Sequence, residues 1–164
     1  MRHSISKFLL TLGLLSSAAF ADTKEITIEA GGKPALKLSV PKDAEIKAKG
    51  EKTSILTKSL RVYVWVLPKA KTVADAVPHA ADAIKSEFVH FAPTSNETLK
   101  VLGHEAKQLS GKGEEEDDND PGTADVVIFT DGKNVYAACT HGEGDEAAKE
   151  RPEFLKLLKA IKAE

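Results

Sequence analysis

One cysteine, Cys139, stands in the whole chain of 164 residues, so no disulfide can form within it. A small secreted scaffold stapled by disulfides is thereby excluded. No apolar run reaches the roughly 20 residues that a membrane-spanning helix needs. Positive charge is not in excess either: 23 Lys and Arg stand against 25 Asp and Glu, a net of −2. Binding to nucleic acid is driven by clustered cations, and anchoring on an anionic membrane by a polybasic patch. Both are missing. Catalytic signatures are missing as well. There is no G-x-S-x-G elbow, no phosphate loop and no H-E-x-x-H, since His104-Glu105 is followed by Ala106-Lys107-Gln108. The reading is of a protein that is not an enzyme, with no cofactor beyond a possible divalent metal.

What is present begins at the N-terminus. A short basic start holds Arg2 and Lys7, residues 8–15 are apolar, and Ala19-Phe20-Ala21 places small residues at minus three and minus one of a cleavage site. That is the pattern of a secretory signal peptide over residues 1–21, with Asp22 as the mature N-terminus. The expected location is periplasmic or secreted. Processing leaves 143 residues with 21 basic and 25 acidic side chains, a net of −4. Such a chain makes one domain of ordinary size, here residues 22–164, without needing a disulfide or a metal to fold. Asp22, not Cys, heads the mature chain, so no lipid anchor is expected.

Along the mature chain, residues 25–40 alternate around Gly31-Gly32 and read as a hairpin stopped by Pro41. Residues 42–52 read as a solvated connection, and residues 54–57 as a short strand. Residues 60–67 make the strongest strand, apolar on both faces and so expected to be central and covered twice. Thr72 to Phe88 reads as a helix with Thr72 and Asp75 at capping-box spacing and Pro78 as a kink or split. Residues 98–102 and 105–109 are strands around Gly103, and residues 111–122 a polar loop. Asp131-Gly132 turns a hairpin between residues 125–130 and 133–140, and residues 141–144 read as a loop. Pro152 suits the first turn of a closing helix that buries Phe154, Leu157, Leu158 and Ile161. Strands grouped in runs imply α+β: an antiparallel β-sheet flanked by helices, an α/β/α sandwich.

This order resembles the PsbP-like family, named for the extrinsic subunit of photosystem II. The matching pieces are LKLSVPKDAEI, RVYVWVLP, TVADAVPHAADAIKSEF, LKVLGHEAKQLSG, VVIFTDGKNVYAAC and FLKLLKAIK, together spanning roughly residues 26–162. The resemblance implies an α/β/α sandwich acting as a binding or accessory module, for a protein partner or small ligand, with no shared catalytic motif. Many members carry Trp shortly after the strand-ending Pro, where this chain has Asp43-Ala44. No site residue carries over.

Two groups of side chains have metal-ligating chemistry. In the run 114–120, six of seven residues are carboxylates, and Glu116, Asp118 and Asp120 alternate like the first ligands of an EF-hand. The rest of that motif fails, because Gly122 falls one place late and Val127 stands where the bidentate Glu belongs. A looser divalent site or a solvated loop both fit the run. The second group is Cys139, His141 and Glu143, which share a face on an extended chain, with Asp145 nearby. The same alternation puts Cys139 beside Val135 and Ala137 on a face with core character. His79 lies between Asp75 and Asp82 at helical spacing, the pattern of a surface histidine.

Overall fold

The structure is a computed structural model and describes residues 22–164. The signal peptide expected over residues 1–21 lies outside them. Gly31 and Gly32 have φ of 58° and 74°, the left-handed pair that closes a two-residue hairpin turn. They join β1 (Thr23–Ala30) to β2 (Lys33–Pro41), as the alternation implies. The stretch read as a solvated connection is instead a second hairpin, β3 (Glu45–Lys49) and β4 (Lys52–Leu56). Its Lys and Glu content is that of a sheet edge, where charge is tolerated because one side faces water. The central strand β5 (Arg61–Val66) follows.

Thr72 does cap a helix. Its hydroxyl accepts from Asp75 N at 3.1 Å while Asp75 Oδ2 accepts from Thr72 N at 3.1 Å. The helix is shorter than expected and split at Pro78 into α1 (Val73–Ala76), a 3₁₀ turn (Val77–His79) and α2 (Ala80–Ile84). Proline removes a backbone donor and its ring crowds the preceding turn, which accounts for the break. Phe88 is not helical; it opens β6 (Phe88–Val101), which pairs with β7 (His104–Glu115). β8 (Pro121–Thr130) and β9 (Val135–Glu143) form the next hairpin, and α3 (Glu146–Lys159) and β10 (Lys162–Ala163) close the chain. Pro152 lies inside α3, not in its first turn. The buried Ala147, Phe154, Leu157 and Leu158 hold the helix despite it, each large apolar side chain supplying roughly 1.5–3 kcal/mol.

All strand pairing is antiparallel. A seven-stranded sheet runs β3-β4-β5-β9-β8-β7-β6, and a three-stranded sheet runs β1-β2-β10. Two cores cover the large sheet. On one face α3 and the small sheet pack over Val62, Val64, Val127, Phe129, Tyr136 and Ala138. On the other, α1 and α2 pack over Trp65, Val126, Ile128, Ala137 and Cys139. The fold is α+β, with β5 and β9 central and buried on both faces.

Candidate functional site

β7, β8 and β9 bring their acidic ends together, because Glu114 is opposite Pro121 and Gly122 is opposite Glu143. The polar loop expected over residues 111–122 is therefore mostly strand. Gly111 and Gly113 belong to β7, and only residues between Glu115 and Pro121 turn. In that turn Asn119 has φ of 60°, Asp118 Oδ1 accepts from Asp120 N at 3.2 Å, and Asp120 O accepts from Glu115 N at 3.0 Å. The turn and the end of β9 then place one carboxylate oxygen each from Asp118, Asp120 and Glu143 within 4.8 Å of one another. All three residues are exposed. The structure so joins two residues of the acidic run to one residue of the Cys139 group. Glu116 is exposed and hangs outside this trio, its backbone N–H donating to Glu87 O at 3.1 Å.

Cys139 and His141 are turned elsewhere. Residues 141–143 continue β9 where a loop was expected. The Cys139 thiol is fully buried in the core under α1 and α2, and burial pushes its pKa well above the ordinary thiol value. The His141 ring is buried between Tyr63, centroid 5.2 Å away, and Phe88, centroid 5.5 Å away. Its Nδ1 lies 3.2 Å from Glu115 Oε1, and its buried Nε2 has no hydrogen-bond partner among the described residues. Burial lowers the His141 pKa, with Glu115 opposing that shift. Glu115 also meets Arg61 at 3.6 Å, and Arg61 reaches Glu146, the first residue of α3, at 3.1 Å. Burial is likewise the main cause that raises Tyr63 to about 12.

Chemically, this end of the sheet offers two things. The exposed trio is a set of hard oxygen ligands suited to a divalent cation. The His141–Glu115–Arg61–Glu146 chain is a polar network that runs from the buried His141 out to the solvent-exposed Glu146 and ties β5, β7, β9 and α3 to one another. A second network sits under α3. Fully buried Asp125 accepts from Arg151 Nε at 2.9 Å and from Ser110, and Glu150 Oε2 accepts from Thr140 Oγ1 at 2.7 Å. Sequence reasoning did not pair Arg61, Glu115 or Phe88 with His141. No local signal links them: they come from three separate strands.

No family model matches the chain, and no curated protein sequence matches it. Solved structures do. The chain is similar to the cyanobacterial PsbP protein CyanoP of Synechocystis, with a TM-score of 0.54 and 14% identity over 93% of this chain and 99% of that one. The fold is PsbP-like. A Bacteroides thetaiotaomicron protein is similar at a TM-score of 0.53 and 11% identity, over 86% of this chain and 48% of that one. LpqN, described as involved in cell envelope biogenesis of Mycobacterium tuberculosis, gives 0.48 and 12% over 86% of this chain and 91% of that one. At these identities the likeness concerns fold. Among the described residues no helix is long and apolar enough to cross a membrane.

Proposed function

We propose that this protein is an exported binding or accessory module of PsbP-like fold, without catalytic machinery of its own, acting on a protein or small-ligand partner outside the cytoplasm. The observation that carries the reading is the correspondence with CyanoP over nearly the full length of both chains. The basic, apolar and Ala-x-Ala pattern of residues 1–21 supports export, with cleavage after Ala21. The pairing of titratable groups supports a structural use of them, since His141 bonds to Glu115 and, separately, Asp125 to Arg151. The test is recovery of the chain from its native envelope. The expected product starts at Asp22 by mass and carries a partner in fixed stoichiometry. Intact Met1 form confined to the cytoplasm overturns export, and turnover of a substrate by the purified protein overturns the non-catalytic reading.

The second reading is a weak divalent-metal site. The convergence of Asp118, Asp120 and Glu143 within 4.8 Å favours it. Glu116, Cys139 and His141, the other ligands read from the sequence, would have to move to join it. The calcium titration argued in the Discussion tests this reading.

A further inference from the structure

Pro152 divides α3 into two halves that are held differently. Beyond it, Phe154, Leu157 and Leu158 are buried in the apolar core over the sheet. Before it, the buried apolar residue is the small Ala147, and the other ties are polar. Glu146 Oε2 accepts from Arg61 Nη2 at 3.1 Å, Glu150 Oε2 accepts from Thr140 Oγ1 at 2.7 Å, and Arg151 Nε donates to Asp125 Oδ2 at 2.9 Å. Both ends of this half are weak points of the backbone. Pro152 has no N–H to bond the carbonyl one turn back. Gly144 has φ of 54°, and Asp145 begins the helix without a side-chain capping hydrogen bond. Segments held by few apolar contacts open first. Residues 146–151 thus form a strap that can lift about Pro152 while residues 154–158 stay docked.

Beneath the strap lies a site with the chemistry to hold a cation. Asp125 is fully buried, and so is Thr140, its partner on β9. Thr123 shares the face of β8 with Asp125, and its Oγ1 is buried with no hydrogen-bond partner among the described residues. Arg151 fills this site as a fork, with Nε on Asp125 Oδ2 at 2.9 Å and Nη2 on Ser110 Oγ at 3.3 Å. Donors fixed in one plane suit a guanidinium and not an ammonium. The Arg151 side chain is nonetheless 40% exposed, so its hold is shared with water. A buried carboxylate left unpaired is strongly destabilising. Whatever displaces Arg151 must therefore bring a positive charge of the same shape.

We propose that Arg151 is the resident occupant of a recognition site for an arginine side chain of a protein partner. The strap lifts, Arg151 leaves, and the partner's guanidinium takes its place on Asp125 and Ser110. This rests on the reading of the protein as a binding module and names the group that its partner presents. A ligand shifts such an equilibrium only by binding one form better than the other. The incoming fork does so because Asp125 is free of Arg151 only when the strap is open.

The experiment reads amide hydrogen exchange in the purified protein with and without a millimolar blocked tripeptide that has arginine at its centre. Exchange at residues 149–151 should become about tenfold faster with the peptide, while residues 157–158 keep their rate. Asp125→Asn should abolish the acceleration, and the same peptide with lysine at its centre should not produce it. Arg151→Ala is the second variant, and its result stands even if Asp125→Asn does not fold. It empties the site, so the arginine peptide no longer has a resident to displace and should raise the Tm of this variant by several degrees. Unchanged exchange at residues 149–151 in the parent overturns the proposal, whatever the variants do. Equal acceleration of both segments overturns it as well, since that is general loosening. Acceleration that persists in Asp125→Asn, an equal effect of the lysine peptide, or an unmoved Tm in Arg151→Ala each overturn it too. Methylguanidinium is the last probe. If it accelerates exchange and the arginine peptide does not, the site admits a free small cation and not a protein side chain, and the proposal falls. Recovery of a native partner is a separate measurement, so either reading can fail alone.

Discussion

His141 lies nearly flat on Tyr63, with ring centroids 5.2 Å apart and an angle of 14° between the planes. The stack forms because His141 in β9 and Tyr63 in β5 point to the same face of neighbouring central strands. It leaves the imidazole two polar atoms to satisfy. Nδ1 has Glu115, and Nε2 has no partner among the described residues. A buried imidazole in this setting favours its neutral form, since charging it would put a second N–H⁺ into apolar surroundings.

The consequence is a stability that depends on pH. Burial holds the folded-state pKa of His141 below its ordinary 6.5, against the pull of Glu115. The unfolded chain therefore takes up a proton first. The contribution is fully present above about pH 6.5 and is lost as pH falls from there through the folded value, at no more than about 1.4 kcal/mol per pH unit for one group. Urea midpoints at pH 7.5, 6.5 and 5.5 should fall across this range. In His141→Gln the fall should be shallower. An identical slope in the variant would assign the acid sensitivity to other groups.

Much of the fold was legible because it is written in short-range pattern. The Gly31-Gly32 turn, the doubly apolar β5 and the Thr72 capping box each depend on neighbours in sequence. The β3–β4 hairpin was not legible, because edge strands rich in Lys and Glu have the composition of loops. The end of the helix was misplaced for a related reason. Phe88 continues the helical spacing of Val77 and Ile84, yet it opens β6, where tertiary packing against Phe91 and His141 decides its state. The trio Asp118, Asp120 and Glu143 was half legible. All three were named, but in two separate groups, and only the pairing of Gly122 with Glu143 joins them.

Asp125 and Arg151 give the second test. Asp125 is on β8 with its side chain 1% exposed, while Arg151 on α3 is 40% exposed. Removing Arg151 leaves a buried carboxylate held by Ser110 and Gln108 alone. Breaking a buried pair costs about 3–5 kcal/mol. Solvent reaches this guanidinium, so Arg151→Ala should cost about 2 kcal/mol in chemical denaturation. The double variant Arg151→Ala with Asp125→Ala should cost less than the two single losses added together. Additive losses would show that the two side chains act independently.

Cys139 tests the inward face of β9. Its thiol is fully buried beside Val126 and Ala137, and burial raises its pKa well above 9.0. Thiolate is the reactive form, so native protein should react with a thiol reagent at least a hundredfold more slowly than protein in denaturant. Comparable rates, or a disulfide-linked dimer on non-reducing gels, would place the thiol at the surface.

The carboxylate trio sets the last expectation. Three oxygens within 4.8 Å repel one another when ionised, and a divalent cation would relieve this. Against it, all three side chains are exposed, so water and salt already screen much of the repulsion. A calcium ion also takes six to eight oxygen ligands, and three carboxylates on a turn and a strand end leave much of that shell to water. One of the three also has a structural task, since Asp118 Oδ1 holds the turn through Asp120 N. Binding should therefore be weak, with little change in Tm at millimolar calcium. The arithmetic makes the alternative easy to see. A Kd of about 1 µM would add about 2.7 kcal/mol at a hundredfold excess of calcium, a shift of several degrees for a domain of this size. Glu143→Gln is the cleanest probe, because it removes charge from the trio and leaves the Asp118 turn intact. If calcium or zinc raises Tm by several degrees in the parent chain and Glu143→Gln abolishes the rise, the metal reading displaces the accessory-module reading. If neither metal shifts Tm and Glu143→Gln leaves stability unchanged, the trio is a solvated corner of the sheet.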